Sequence, residues 1–171
     1  LDKSRRRAHL RGWMASTDDF SCRVRECAGR LAEYGVDALG ALFDLTSHRL
    51  VRFAVALTRN QHDAEDAVQT ALVRIAREPA LLSEVTLPWP YLLQMVRNES
   101  LAIGRRRQHL TSAGDLSDLQ MTPGVDELEQ AEQHRAVWAA LRRLPPEQAE
   151  VVVLKIWEAM TFADSARILS V

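Results

Sequence analysis

Apolar residues recur along this chain at intervals of three and four, the spacing that returns a side chain to one face of an α-helix. From Leu39 the stripe runs Leu39, Leu42, Phe43, Leu50, Phe53, Ala54 and Leu57. Asn60-Gln61-His62 reads as a turn. Asp63 is placed to cap the next helix, with Glu65 and Asp66 in its first turn, where the helix dipole favours anions. That helix carries Ala64, Ala67, Val68, Ala71, Leu72 and Ile75 and stops by Pro79. Residues 79–88 read as a loop closed by Pro88-Trp89-Pro90. Leu92, Leu93, Val96, Leu101 and Ile103 mark a third helix, running into Arg105-Arg106-Arg107.

Beyond it, residues 111–134 hold six acids (Asp115, Asp118, Asp126, Glu127, Glu129, Glu132) and neither Lys nor Arg. Gly114, Pro123 and Gly124 interrupt the first half, which therefore reads as a linker. A helix over 127–144 carries Leu128, Ala131, Val137, Trp138 and Leu141. Pro145-Pro146 ends it, and Pro146 suits the first turn of a helix over 146–158. Thr161, with Asp164 three residues on, is placed to cap a last helix from Phe162 to Leu169. Few windows alternate at period two. The pattern predicts an all-α protein of two small helical modules joined by an acidic linker. Its parts are an N-terminal extension (1–38), a helical domain (39–108), a linker (109–126) and a second helical domain (127–171).

The 171 residues suffice for one domain or two small ones with a core that needs no disulfide or metal. No run of apolar residues reaches transmembrane length, and the basic N-terminus (Lys3, Arg5, Arg6, Arg7, Arg11) precedes no signal-peptide core. Met14 is the first internal start candidate, and residues 1–13 are expected to have no part in the fold. Cys22 and Cys27, with no second pair, do not make a zinc site and suit a reducing compartment, the cytoplasm. No metal or cofactor is implied. The formal net charge of −1 argues, as an average, against a nucleic-acid binder. It hides local blocks: residues 95–109 carry four Arg and one Glu, whereas the linker is wholly acidic.

No phosphate loop, dinucleotide fingerprint or nucleophile elbow occurs, and the five His are scattered. No catalytic residue is expected. Two stretches carry other chemistry. Asp63, Glu65, Asp66 and Gln69 place acids and an amide opposite an apolar stripe, a surface for a basic partner. Trp89, Tyr91, Arg97 and Asn98, continuing to Arg105, Arg106 and Arg107, combine stacking rings, phosphate-neutralising cations and a base-reading amide, which suits single-stranded or melted DNA. A buried aromatic pair and a solvated helix end are the plainer reading of that second stretch.

In order, these stretches resemble bacterial sigma factors of the sigma-70 family, specifically the short extracytoplasmic-function type. Asp63-Ala64-Glu65-Asp66-x-Val68-Gln69 resembles that family's helix for the polymerase core, at the clamp helices of the largest subunit. Trp89 to Asn98 and the Arg run resemble its segment for melting and reading the −10 promoter element. Ala140 to Glu147, Val151 to Leu154 and Met160 to Leu169 resemble its C-terminal module, which carries a helix-turn-helix for the −35 element. The resemblance covers about residues 39–171. Departures are Thr70, Leu72 and Ala76 in the first motif and Ala102 and Gly104 before the Arg run. In the C-terminal module they are Ala149, Ala159 (in place of a turn Gly), Asp164 and Ser165. Gly104 is expected to let the helix end fray, and Ser165 to fall near a core face. Val171 comes one helix early, so the second helix that enters the major groove is expected to be missing, through either a fragment end or a natural truncation.

The resemblance implies a non-enzymatic initiation factor that directs RNA polymerase core to promoter DNA and helps open it, under the control of an anti-sigma factor and without a membrane partner. The acidic linker is expected to discourage non-specific DNA binding. The alternative is a truncated sigma-like interaction protein that binds polymerase or a regulator without initiating transcription.

Overall fold

The computed structural model describes residues 3–111 and 136–169, with side chains described over 19–107 and 136–169. The acidic linker, the expected start of the following helix and the basic N-terminal side chains lie outside the described residues. Helix α1 runs from Lys3 to Tyr34 and leads through a 3₁₀ turn to α2, Leu39–Thr58. Then follow α3 (Gln61–Arg77), the single turn α4 (Ala80–Ser83) and α5 (Pro88–Thr111). After the gap, residues 136–142 are helical (α6), followed by α7 (Pro146–Val152) and α8 (Phe162–Leu169). No strand occurs among the described residues, in agreement with the all-α expectation.

The centre is a triangle of α2, α3 and α5. The six apolar positions read for α3 are its buried residues. Leu42, Leu50, Phe53 and Ala54 of α2 and Leu92, Leu93 and Val96 of α5 close on them. Their burial is the main driving force for assembly, about 1.5–3 kcal/mol for each large side chain. Two stripe members turn outward: Phe43 is 50% exposed and Leu101 36% exposed. Thr46 takes the inward position one turn after Leu42, and its hydroxyl donates to the Leu42 carbonyl at 2.6 Å. A polar side chain can sit there because its hydrogen bond is satisfied inside the helix.

The cap of α3 is Asn60, not Asp63: the Asn60 side chain accepts from the Asp63 backbone N–H at 3.0 Å. Asparagine three residues earlier occupies the extended backbone position a cap requires, and Asp63 falls inside the first turn. α2 ends on Arg59 in the left-handed region, φ 56°. α5 continues through Gly104 to Thr111 without a break. The expected loop over 79–88 contains α4.

The stretch before Leu39 is part of the fold. Phe20, Val24, Ala28 and Leu31, spaced by four and three, are buried and lay α1 across α2, α4 and α5. Phe20 meets the Trp89 ring edge-on with centroids 4.9 Å apart. The C-terminal helices pack on the same centre, α7 against α2 and α8 against α5. The expected helix over 146–158 is α7 followed by a π turn, Val153–Trp157, and Ala159 then takes φ 51°. That wide turn points Glu158 inward, where it is fully buried. Thr161 caps α8 as its position suggests, its Oγ1 accepting from the Asp164 N–H at 3.0 Å. Ser165 is buried and its hydroxyl lacks a hydrogen-bond partner.

Candidate functional site

The first candidate surface lies on the outer face of α3. The buried positions 64, 67, 68, 71 and 75 fix the helix roll, so Glu65, Asp66, Gln69 and Thr70 point to solvent. Glu65 accepts from the Gln61 side-chain amide at 2.7 Å, and Asp66 sits 4.0 Å from His62. Asp63 is set apart from these three. Its carboxylate is only 20% exposed and pairs with Arg107.

Beside this polar strip runs an apolar groove of about 410 Å³ between α2 and α3. Phe43, Val51, Val68, Leu72, Val73 and Ala76 line it, with Glu65 and Gln69 on its rim. Val73 is 41% exposed. Leu72 and Ala76 are the positions where the sequence departs toward smaller side chains, and the groove opens over them. Phe43 reads in the sequence as a member of the α2 core stripe, and Val73 falls outside the α3 stripe, so neither signals a groove lining. An acidic rim beside an apolar trough can take a basic amphipathic helix: the trough supplies desolvated area and the rim supplies orientation and on-rate.

The second candidate surface follows α5. Arg105 and Arg106 are exposed, and Arg107 pairs with Asp63. Asn98 is exposed, whereas Tyr91 is half-buried. Trp89 does not reach this surface. It is 1% exposed, held between Phe20 and the Arg49 guanidinium, whose carbon lies 5.4 Å from the indole centroid. Its indole N–H is buried without a partner. An aromatic at the first turn of a helix is drawn inward when another element covers that turn, and here α1 covers it. In this structure Trp89 is therefore a core ring and not a stacking platform.

Arg97 is also engaged. Its Nε donates to Glu150 of α7, a carboxylate only 4% exposed. Burial pushes the Glu150 carboxyl above its ordinary value, against the opposing pull of Arg97; nearby Glu147 pushes it the same way as burial. Glu158, after the π turn, accepts from Arg49 and from Arg52, each at 3.0 Å. Desolvation lowers the Arg49 pKa, and neighbouring Arg52 adds to this, while Glu158 opposes it. Neither glutamate gives any sequence signal of its role, since each stands alone among apolar residues and meets an arginine far away in the chain.

Cys22 and Cys27 are free thiols, and no group of three or more metal-ligating side chains occurs among the described residues. No described helix is long and apolar enough to cross a membrane.

Residues 42–110 match the family described as Sigma-70 region 2. The chain is 33% identical over 135 residues to the ECF RNA polymerase sigma factor SigM of Mycobacterium tuberculosis, covering 78% of this chain and 67% of that protein. It is 25% identical over 160 residues to the ECF RNA polymerase sigma factor BldN of Streptomyces coelicolor, covering 90% of this chain and 60% of BldN. It is also 25% identical over 139 residues to the probable RNA polymerase sigma factor RfaY of Xanthomonas campestris, covering 77% of this chain and 35% of RfaY. No solved structure matches it.

Proposed function

This chain belongs to the extracytoplasmic-function type of the sigma-70 family, and on that premise we propose that it docks RNA polymerase core through α3 and meets promoter DNA through α5. Its role is to direct RNA polymerase in transcription initiation. Its partners are the polymerase core and promoter DNA, and an anti-sigma factor is the expected regulator. It has no catalytic step of its own. It acts in the cytoplasm, where polymerase and DNA meet.

The observation that carries the assignment of α3 is the exposed strip Glu65, Asp66 and Gln69, of which Glu65 and Gln69 stand on the rim of the apolar groove. The clamp helices of the largest polymerase subunit are the partner such a surface suits. Asp63 supports it from behind by tying α3 to α5 through Arg107. On α5, Asn98, Arg105 and Arg106 are exposed for DNA, with Tyr91 and Arg97 at the margin. Trp89 supports that helix from the core and is not assigned to the DNA.

Replacing Asp66 and Gln69 together with Ala tests the docking. Capture of core polymerase should be lost while the helical circular-dichroism signal stays intact, and retained capture would refute the assignment. Adding the chain to core polymerase on a promoter template then separates initiation from mere competition: promoter-specific transcripts support initiation, and binding without transcripts supports the sigma-like interaction protein.

A further inference from the structure

The largest basic block in the chain lies outside both candidate surfaces. Residues 3–13 hold Lys3, Arg5, Arg6, Arg7 and Arg11 and no acid. They belong to α1, whose backbone is helical without a break from Lys3 to Tyr34. Helix positions four apart share a face, so Lys3, Arg7 and Arg11 fall on one side of α1. Arg25 stands eighteen residues after Arg7, about five turns, and falls on the same side. Asp18 is the one acid on that side between Lys3 and Arg25.

Arg25 brings that side of the helix to the start of α5. It is exposed, and its guanidinium donates to the Thr86 carbonyl at 3.4 Å, two residues before α5 begins at Pro88. Ser21 and Cys22, one turn earlier, share with Arg25 a hollow of about 350 Å³ that Pro88, Trp89 and Pro90 also line. Phe20 fixes the helix there by its edge-on contact with Trp89. Arg105 and Arg106 lie toward the opposite end of α5, about 24 Å from Trp89 along the helix axis. From this placement we infer that α1 is a second DNA-contacting element, whose basic side (Lys3, Arg7, Arg11 and Arg25) neutralises duplex phosphates beside the start of α5. The partner is the one proposed for α5, but the element is separate and its cations have no part in that reading.

A row of cations along one side of a helix is the electrostatic footprint of backbone binding. Each phosphate neutralised by Lys or Arg releases counterions, so such contacts appear as a salt dependence that is indifferent to base sequence. α1 contains neither Asn nor Gln, the amides that read adenine. It therefore strengthens and orients binding without selecting sequence. Anionic lipid is the other partner that five cations attract, and the position of Arg25 beside α5 favours DNA.

The test uses the full chain and a short DNA duplex of mixed sequence, read by fluorescence anisotropy over a series of salt concentrations. Arg7→Gln with Arg11→Gln removes two cations and keeps similar helix propensity. Binding should weaken about three- to tenfold at low salt, and the slope of log affinity against log salt should shrink by about 2. Arg30→Gln with Arg77→Gln removes two exposed cations, one from another side of α1 and one from the end of α3. That pair should change the slope by less than about 0.5. Arg7→Lys with Arg11→Lys keeps both charges and should keep the slope, which separates phosphate contact from a structural role.

Circular dichroism checks that each variant keeps its helices, and the triple change of Arg105, Arg106 and Arg107 to Ala is run alongside. If Arg7→Gln with Arg11→Gln leaves affinity and slope unchanged, the α1 contact is overturned, whatever the triple change does. An equal loss of slope from the Arg30 and Arg77 pair overturns it too, because the effect would then be one of overall charge. If the Arg7 and Arg11 change shrinks the slope while the triple change does not, the DNA reading of α5 fails and the α1 contact stands. Vesicles of phosphatidylcholine with phosphatidylglycerol are the second probe. Vesicle binding that needs Arg7 and Arg11, with duplex affinity that does not, makes α1 a lipid contact and overturns the assignment to DNA.

Discussion

Arg107, near the end of α5, donates to the carboxylate of Asp63 in the first turn of α3, so the helix proposed for DNA is tied to the helix proposed for polymerase. The pair is partly exposed, with side-chain exposures of 44% and 20%, and bridges of this kind contribute at most about 1 kcal/mol. Asp63→Ala should therefore lower unfolding stability by less than about 1 kcal/mol in denaturant titration. It should also retain more polymerase capture than the Asp66 and Gln69 double change. Equal loss in both would place Asp63 itself in the docking contact.

Trp89 is expected to act through stability. Truncation to Ala empties a core site shared by α1, α2 and α5 and should cost about 3–5 kcal/mol. Trp89→Phe keeps most of the packing and removes an unpartnered indole N–H, so DNA affinity should stay within about twofold. A large loss of affinity with an intact fold would show that the ring reaches bases.

Backbone strain at Ala159 and helix propensity at Gly104 predict two stabilising changes. Ala159 holds φ 51° after the π turn, a region that costs a residue with a Cβ roughly 1–2 kcal/mol. Ala159→Gly should raise the unfolding free energy by about 1 kcal/mol. At Gly104 an added Cβ meets nothing within 4 Å, so Gly104→Ala should add about 1 kcal/mol of helix stability. Thermal unfolding reads both: a lower midpoint for Ala159→Gly would contradict the strain argument, and one for Gly104→Ala the propensity argument.

Ser165 predicts a third. Its hydroxyl is buried with no acceptor or donor in reach, an arrangement that costs about 1–3 kcal/mol relative to a satisfied group. Ser165→Ala removes the orphan atom without adding volume. Its unfolding midpoint should match or exceed that of the unaltered chain, and a clear drop would reveal a hydrogen bond at that site.

Glu150 gives the pH dependence. Burial, against the pull of Arg97, raises its pKa in the folded state, so the folded chain binds this proton more tightly than the unfolded chain does. The stability linked to this group is fully present below the ordinary carboxylate pKa and is lost as pH rises through the raised value. The unfolding free energy of the unaltered chain minus that of Glu150→Gln should thus increase as pH falls from neutrality toward the ordinary carboxylate range. A flat or opposite trend would mean that Arg97 outweighs burial.

The family, the helical class and the core of α3 were all legible in the order of residues. Each depends on local periodicity, and a stripe such as Ala64, Ala67, Val68, Ala71, Leu72 and Ile75 has only one face to bury. The exposure of Glu65, Asp66 and Gln69, the strip proposed for docking, follows from the same roll. Tertiary structure decided what periodicity cannot express. Phe43 and Leu101 sit on apolar stripes yet remain exposed, because the neighbouring helices do not cover every member of a stripe. The role of the segment before Leu39 emerged only once Phe20, Val24, Ala28 and Leu31 met Trp89 and its neighbours. The partners of Arg97, Arg49 and Arg52 lie 53, 109 and 106 residues away. An arginine in a sequence shows its charge, but whether that charge faces DNA or a buried carboxylate is set by which helices come to lie against it.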